Sequence, residues 1–285
     1  YTFYYYDLRT GEVSKRYKDE QGNVIAREIG GYMVMRGADY LMAINAVNTY
    51  DAALQALAAL KAGELNSAKQ ILDAYYNVSQ GGQELLSTTY DIGVTAPMAF
   101  STKTGENYWM VLASLAYYQK TGNTKYLDFA SNLSERIYQE RNTSCGISID
   151  GLKVPTFNGL ADNQGNTACG AEHQYDAVAA LTLLNDSAKA EAILDKVFQY
   201  IVVKGEDGRW QINRGYNKDG FDEVRAADAV TWLVLAIGPE KLKQRGVEPY
   251  ELYDYVVKNF QASVTLKNGT VIYGLDTTNQ EGRGI

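Results

Sequence analysis

The chain has 285 residues, 46% hydrophobic and 21% charged, with a formal net charge of −7. That length suits one large domain or two small ones, and the apolar fraction is ample for a core. The acidic balance leaves no basic stripe to neutralise phosphates, which argues against nucleic acid and against charge-driven membrane binding. The longest apolar run, Val230–Ile237, is far short of the roughly 20 residues that span a bilayer.

The chain opens on Tyr1 with no initiator Met and no signal peptide, the pattern of a processed chain or of a piece of a longer one. Residues 1–30 are rich in Tyr, Thr and Val around Gly11 and Gly22. Strands are predicted at Tyr1–Leu8, Glu12–Tyr17 and Asn23–Ile29, with turns at Arg9–Gly11 and Glu20–Gly22. They would form a β-like appendage packed on one end of a helical body. Gly37–Ala46 reads as a short helix leading into that body.

From Tyr50 an eleven-residue pattern recurs four times: YDAALQALAAL at Tyr50, YWMVLASLAYY at Tyr108, YDAVAALTLLN at Tyr175 and ADAVTWLVLAI at Ala227. Each copy opens a helix-like apolar stretch. A second amphipathic stretch follows three of them, at Ser67–Tyr76, Thr124–Gln139 and Ser187–Val203, and the fourth reaches Pro249–Phe260 by a longer route. The unit reads as an αα-hairpin, repeated so that neighbours bury one another's apolar faces. No Pro/Ser-rich linker interrupts the series, so a single domain is expected over residues 1–285.

Between the hairpins lie Ser79–Glu106, Asn142–Ala171, Gly205–Ala226 and Lys267–Ile285, rich in Gly, Asn, Asp and aromatic residues and without periodicity. Loops of this length are usually functional or disordered. Tyr90, Phe157 and Trp210 within them favour ordered functional loops. In a ring of hairpins all four would lie on one rim, the natural active face. The repeat alignment places Asp51, Trp109, Asp176 and Asp228 at one equivalent position, at the start of each inner helix. A carboxylate there is favoured by the helix N-terminus, and helix capping alone would account for any one of them.

Four clusters could carry chemistry. In Gly170-Ala171-Glu172-His173-Gln174-Tyr175-Asp176, Glu172 and Asp176 are spaced to share a helix face, where each raises the other's proton affinity. His173 is the only histidine. In Thr104-Gly105-Glu106-Asn107-Tyr108-Trp109, an acid, an amide and aromatics sit together in a sugar-binding combination. Asp228 and Trp232 again share a face, and Tyr90-Asp91 lies in the first long loop. Two-carboxylate glycoside hydrolysis fits this inventory: Glu172 as general acid, Asp228 or Asp51 as its partner, and Glu106, Asn107, Trp109, Asp91, Tyr90, His173, Asp176, Trp232 and Trp210 as substrate-binding residues. An excess of Tyr over Phe, 23 against 7, suits half-wet sugar grooves, though a surface stripe or a secreted composition would also produce it. No G-x-S-x-G supports serine catalysis, and no Walker or dinucleotide glycine fingerprint is present. Cys145, Cys169 and His173 could make a Cys2His zinc set, but at no recognised spacing, so neither a metal nor a cofactor is expected. The two cysteines could instead pair, which their positions in sequence cannot establish.

Thr104–Ala130 (TGENYWMVLASLAYYQKTGNTKYLDFA), Ala171–Leu184 (AEHQYDAVAALTLL) and Ala227–Gly238 (ADAVTWLVLAIG) together resemble bacterial proteins of the six-hairpin glycosidase group, over roughly residues 45–285. The resemblance implies an all-α fold, an (α/α)6 toroid in which acids at inner-helix starts line a carbohydrate cleft, here Asp51, Glu106, Glu172, Asp176 and Asp228. Only four hairpins are evident where a toroid has six, and the chain stops at Asn279–Ile285, where another helix should follow. The ring is therefore expected to be incomplete, or completed by a neighbouring chain as a homo-oligomer. Lanthionine cyclases and prenyltransferases of toroid fold have zinc-ligand patterns absent here, and toroidal sugar epimerases rely on more than one histidine. The expectation is an extracellular or periplasmic glycoside hydrolase acting on a polysaccharide or oligosaccharide, with no nucleic acid and no membrane insertion. The alternative is a non-catalytic glycan-binding or self-assembling structural protein.

Overall fold

The computed structural model describes residues 46–91, 97–99, 101–145, 157–162, 168–206, 208–217, 220–222 and 224–276, together with short strands before residue 46. The helices are α1 (Thr49–Ala62), α2 (Leu65–Val78), α3 (Thr104–Thr121), α4 (Thr124–Arg141), α5 (Ala171–Leu183), α6 (Ser187–Lys196, running into a π-helical turn at Val197–Ile201), α7 (Ala227–Ile237), α8 (Pro239–Gln244) and α9 (Pro249–Phe260). They form the expected hairpins: α1/α2, α3/α4, α5/α6 and α7/α9, with α8 inserted in the last.

Local chemistry sets the helix ends. The Asn48 side chain accepts from the Tyr50 N–H at 2.8 Å to start α1, and Asn123 does the same for α4 through the Lys125 N–H, each satisfying an otherwise orphaned donor. The first two inner helices end on Gly63 and Gly122 in the left-handed region, where a side chain would be strained. Pro249 opens α9, where its missing N–H costs nothing.

The hairpins pack in sequence, α1 on α3, α3 on α5 and α5 on α7. Small residues make this close approach possible: Ala52, Ala53 and Ala56 on α1, Ala113 and Ser114 on α3, Ala177 and Ala180 on α5 are all buried. Inner helices are apolar on more than one side because they touch neighbours on more than one side. Outer helices bury a single stripe, Ala68, Leu72 and Tyr75 on α2 and Tyr126, Phe129, Ala130, Leu133 and Ile137 on α4, at the three-and-four spacing of an amphipathic helix. Tyr108 and Tyr175, which open two of the repeats, are fully buried between the layers.

The segments between hairpins are short antiparallel ribbons rather than irregular loops. Thr89–Asp91 pairs with both Ala46–Asn48 and Pro97–Ala99, Asn142–Cys145 with Phe157–Leu160, Val202–Lys204 with Trp210–Ile212, and Gly215–Asn217 with both Cys169–Gly170 and Gly220–Phe221. A repeated device ties these ribbons to the inner helices. The residue just before each of the first three repeat starts is buried and holds the backbone of a rim segment. Thr49 Oγ1 donates to the Ser87 carbonyl at 2.6 Å. Asn107 accepts from the Leu86 N–H at 2.8 Å and donates to the Leu86 carbonyl at 3.0 Å. Gln174 accepts from the Leu160 N–H at 2.9 Å and donates to the Leu160 carbonyl at 2.8 Å. A primary amide can match both backbone groups of one residue, and buried backbone groups need that match.

Two boundaries differ from expectation. Helices α3 and α5 begin about a turn earlier than the repeat starts, so Glu106 is helical rather than in a loop, and Glu172 shares its helix with Asp176 as expected. The added turns are anchored from outside: the Thr104 N–H donates to the Asp162 carbonyl and the Ala171 N–H to the Arg214 carbonyl, both at 2.9 Å. The predicted helix at Gly37–Ala46 is instead strand: Tyr40–Ala43 pairs antiparallel with Tyr32–Gly37, in register from Gly37↔Tyr40 to Val34↔Ala43, and Ala46–Asn48 pairs with Thr89–Asp91. Ladder pairing outweighs a weak local helix preference. Of the predicted N-terminal strands, Tyr5–Tyr6 pairs with Val13–Ser14, and Ala26–Ile29 pairs onward with Tyr32–Gly37. Their packing on the helical body, and the tail at residues 277–285, lie outside the described residues.

Candidate active site

The N-terminal ends of α1, α3, α5 and α7 surround a cavity of about 500 Å3. Glu106 and Trp109 come from α3, Glu172, His173 and Asp176 from α5, Asp228 and Trp232 from α7, and Tyr50 from α1. Side chains more than fifty residues apart in sequence meet here because equivalent first turns of successive hairpins face one mouth.

One wall is aromatic. The indoles of Trp109 and Trp232 stack with centroids 5.0 Å apart and planes 21° from parallel, and Tyr50 meets Trp109 edge-on at 5.3 Å. The Trp232 Nε1–H donates to Asp176 Oδ1 at 2.7 Å, so the wall also orients an acid. Burial pushes the Asp176 carboxyl up to about 7 and the nearby Glu172 charge adds to it, against the pull of the His173 charge and the indole hydrogen bonds. Glu172 is raised first by burial and next by the Asp228 charge, with His173 and Arg214 opposing. Burial raises Glu106 as well, although Lys103 lies 3.7 Å from its Oε1. Asp228 is exposed at the mouth.

His173 is wedged between these acids. Its Nδ1 lies 2.9 Å from Asp162 Oδ1, and that oxygen also accepts from the Gly170 N–H at 2.6 Å. Burial alone would depress the imidazole, but Asp162, then Asp176 and Glu172, outweigh it and hold it above its ordinary value. Asp162 is correspondingly held low despite its own burial, chiefly by His173. Gly105 makes this packing possible: a Cβ there would lie 2.5 Å from His173 Cδ2 and 2.9 Å from Asp176 Oδ2. Behind Glu172 and His173 a smaller chamber of about 270 Å3 opens toward Arg214 and Tyr216. Arg214 Nη2 donates there to Asp222 Oδ2 at 2.6 Å.

Other residues singled out from the sequence lie elsewhere. Asp51 is in the first turn of α1, exposed and outside the cavity lining. Asn107 is 1% exposed and spends its amide on Leu86 and Lys103. Tyr90 is buried, its hydroxyl accepting from the Ser87 N–H and its ring edge-on to Tyr75. Asp91 ends the strand Thr89–Asp91, and its side chain lies outside the described residues. Trp210 lines a different cleft, donating to Glu251 Oε2 at 2.7 Å. Asp162, Gly105, Tyr50 and Lys103 were not singled out as site residues. Tyr50 was visible as a repeat start, whereas Asp162 sits in an aperiodic segment that carries no local signal. Cys169 is disulfide-bonded and Cys145 is the chain's other cysteine, which removes the thiolates from the Cys145–Cys169–His173 zinc set. Among the described residues no cluster of three metal-ligating side chains is present, and no helix is long and apolar enough to cross a membrane.

No family model and no curated protein matches the chain. Solved structures do match. A D-mannose isomerase superposes with TM-score 0.53 at 17% identity, over 93% of this chain and 69% of that one. An α-amylase from Clostridium perfringens gives 0.52 at 15%, over 83% and 64%. An endo-β-1,4-glucanase from Acetobacter xylinum gives 0.52 at 13%, over 86% and 79%. At such identities the likeness is one of fold, and the chain spans roughly two thirds to four fifths of these neighbours. The chain shares with these structures the α/α-toroid arrangement of helical hairpins, four of which lie among the described residues.

Proposed function

We propose that the chain is a carbohydrate-active protein, a glycoside hydrolase that cleaves a polysaccharide or oligosaccharide in the cavity at the helix starts. One observation carries this reading: acids from three separate hairpins, Glu106, Glu172 with Asp176, and Asp228, line one cavity beside a stacked indole pair. Indole faces take the apolar side of a pyranose ring and carboxylates take its hydroxyls. Burial and the Asp228 charge raise the proton affinity of Glu172, the direction a general acid requires. Glu172 donates that proton to the leaving glycosidic oxygen. Asp228, exposed on α7, supplies the second carboxylate, which activates water or attacks the sugar. Asp51, the other partner considered for Glu172, does not line the cavity, so Asp228 takes the role.

Some structural neighbours are described as glycoside or glycosyl hydrolases and others as an isomerase or an epimerase. Hydrolysis is favoured here because the only histidine has its Nδ1 2.9 Å from Asp162 Oδ1 and packs against Gly105, while the Asp228 carboxyl is exposed at the mouth. The disulfide at Cys169 supports an oxidising location, extracellular or periplasmic. Glu172→Gln should abolish release of reducing ends across a panel of soluble polysaccharides and leave thermal unfolding unchanged. Full activity in that variant would remove Glu172 from the acid role. A wild-type chain that binds glycans without cleaving any would take the non-catalytic role instead.

A further inference from the structure

A second cleft, of about 490 Å3, lies between the ribbon Val202–Lys204/Trp210–Ile212 and helix α9. It shares no lining residue with the cavity at Glu172. Its lining reverses the charge of the molecule: Lys204, Arg209, Arg225 and Lys258 stand against Glu251 and Asp254, in a chain of net charge −7. Among the described residues neither Lys204 nor Lys258 enters an ion pair with a carboxylate.

Trp210 has a fixed orientation. Its Nε1–H donates to Glu251 Oε2 at 2.7 Å, and Lys204, its partner across the ribbon, lies with Nζ 4.8 Å from the ring centroid. The Lys204 ammonium lies over the indole and the ring also packs on the core, so Trp210 anchors the lysine and adds apolar area to the cleft wall rather than a free face. Cations around it call for negative charge on the ligand, while Asp254, Gln211 and Asn259 offer partners for hydroxyls. A densely charged polyanion suits this lining poorly, because it would meet Asp254 and the net charge of the whole molecule. A polymer that spaces single carboxylates between neutral hydroxyls suits both.

We infer that this second cleft binds a glycan carrying acidic sugars, holding their carboxylates with Lys204 and Lys258 beside the indole of Trp210. The inference goes beyond the hydrolase reading and does not depend on it.

Calorimetric titration of the Glu172→Gln chain removes any turnover and keeps the cleft. The probes are an oligogalacturonate and an uncharged cello-oligosaccharide of the same length. The oligogalacturonate should bind, and high salt should weaken it. Lys204→Ala with Lys258→Ala should lower its affinity by about ten-fold or more. Trp210→Ala, which removes the ring beneath Lys204, should also weaken binding, with unchanged unfolding curves showing that the fold is intact. Equal binding of the two probes, affinity unaffected by the double lysine variant, or no binding of the oligogalacturonate would each overturn the inference. Wild-type chain inactive on every glycan but showing this titration would sink the hydrolase reading and leave the second cleft standing.

Discussion

Gly105→Ala is a sharp test of the packing under the site, because two effects of opposite sign compete. In an open helical position, replacing Gly by Ala stabilises by roughly 0.5–1 kcal/mol. At Gly105 the new methyl would sit 2.5 Å from His173 Cδ2, 2.9 Å from Asp176 Oδ2 and 3.0 Å from His173 Nε2. Restoring an ordinary contact requires the imidazole or the start of α3 to move by about 1 Å. The imidazole is tied at its far side to Asp162, and α3 is tied by Thr104 to Ala161 and Asp162. Overpacking of this kind costs about 1–3 kcal/mol and outweighs the propensity gain. A net loss of about 1–2 kcal/mol corresponds to a fall in Tm of roughly 2–8 °C for a domain of this size. A displacement of that order at a reacting centre lowers kcat/KM by about 100-fold. Differential scanning calorimetry and hydrolysis assays read the two effects. A rise in Tm with unchanged activity would show that His173 and Asp176 do not pack against Gly105 as described.

Asp176 makes stability depend on pH in a defined direction. Its folded value of about 7 lies above the ordinary 3.8, so between these the native state holds a proton that the unfolded chain has released. Its contribution therefore falls as pH rises through that window and is flat above it. Asp176→Asn keeps the acceptor for Trp232 and should stabilise the fold at pH 8, with the gain shrinking toward pH 4; a gain independent of pH in urea titrations would rule this out. Gln174→Ala and Asn107→Ala should each cost about 2–4 kcal/mol, since each strands the buried backbone N–H and carbonyl of one residue, Leu160 and Leu86 respectively. Amide exchange at those two residues should rise in the matching variant only, and unchanged protection would show that water or another group replaces the clamp.

The hairpins were legible because inner and outer helices differ in pattern. Alanine-rich stretches such as Ala52–Ala56 report close packing, and the stripe Ala68–Leu72–Tyr75 reports a single buried face. Repeat equivalence likewise brought Trp109, Asp176 and Asp228 to one cavity. It does not by itself say which way a residue turns. Asn107 reads as a sugar ligand from its aromatic neighbours, yet one residue's rotation round the helix points it at Leu86. Tyr90 resembles a loop aromatic, but its ribbon folds it against Tyr75. Asp51 shares the repeat position of Asp176, and α1 has no earlier inner helix among the described residues to enclose it. Asp162 left no trace at all, because its role depends on tertiary proximity to His173 rather than on any local pattern.

Convergence of acids from separate hairpins is best tested by a carbon-detected NMR titration of the Glu172 side-chain carboxyl, in the chain and in Asp228→Asn. The midpoint should lie above the ordinary glutamate range and drop when the Asp228 charge is removed. A midpoint that does not move would mean that these two carboxyls do not face one mouth, and that they cannot work on the same bond.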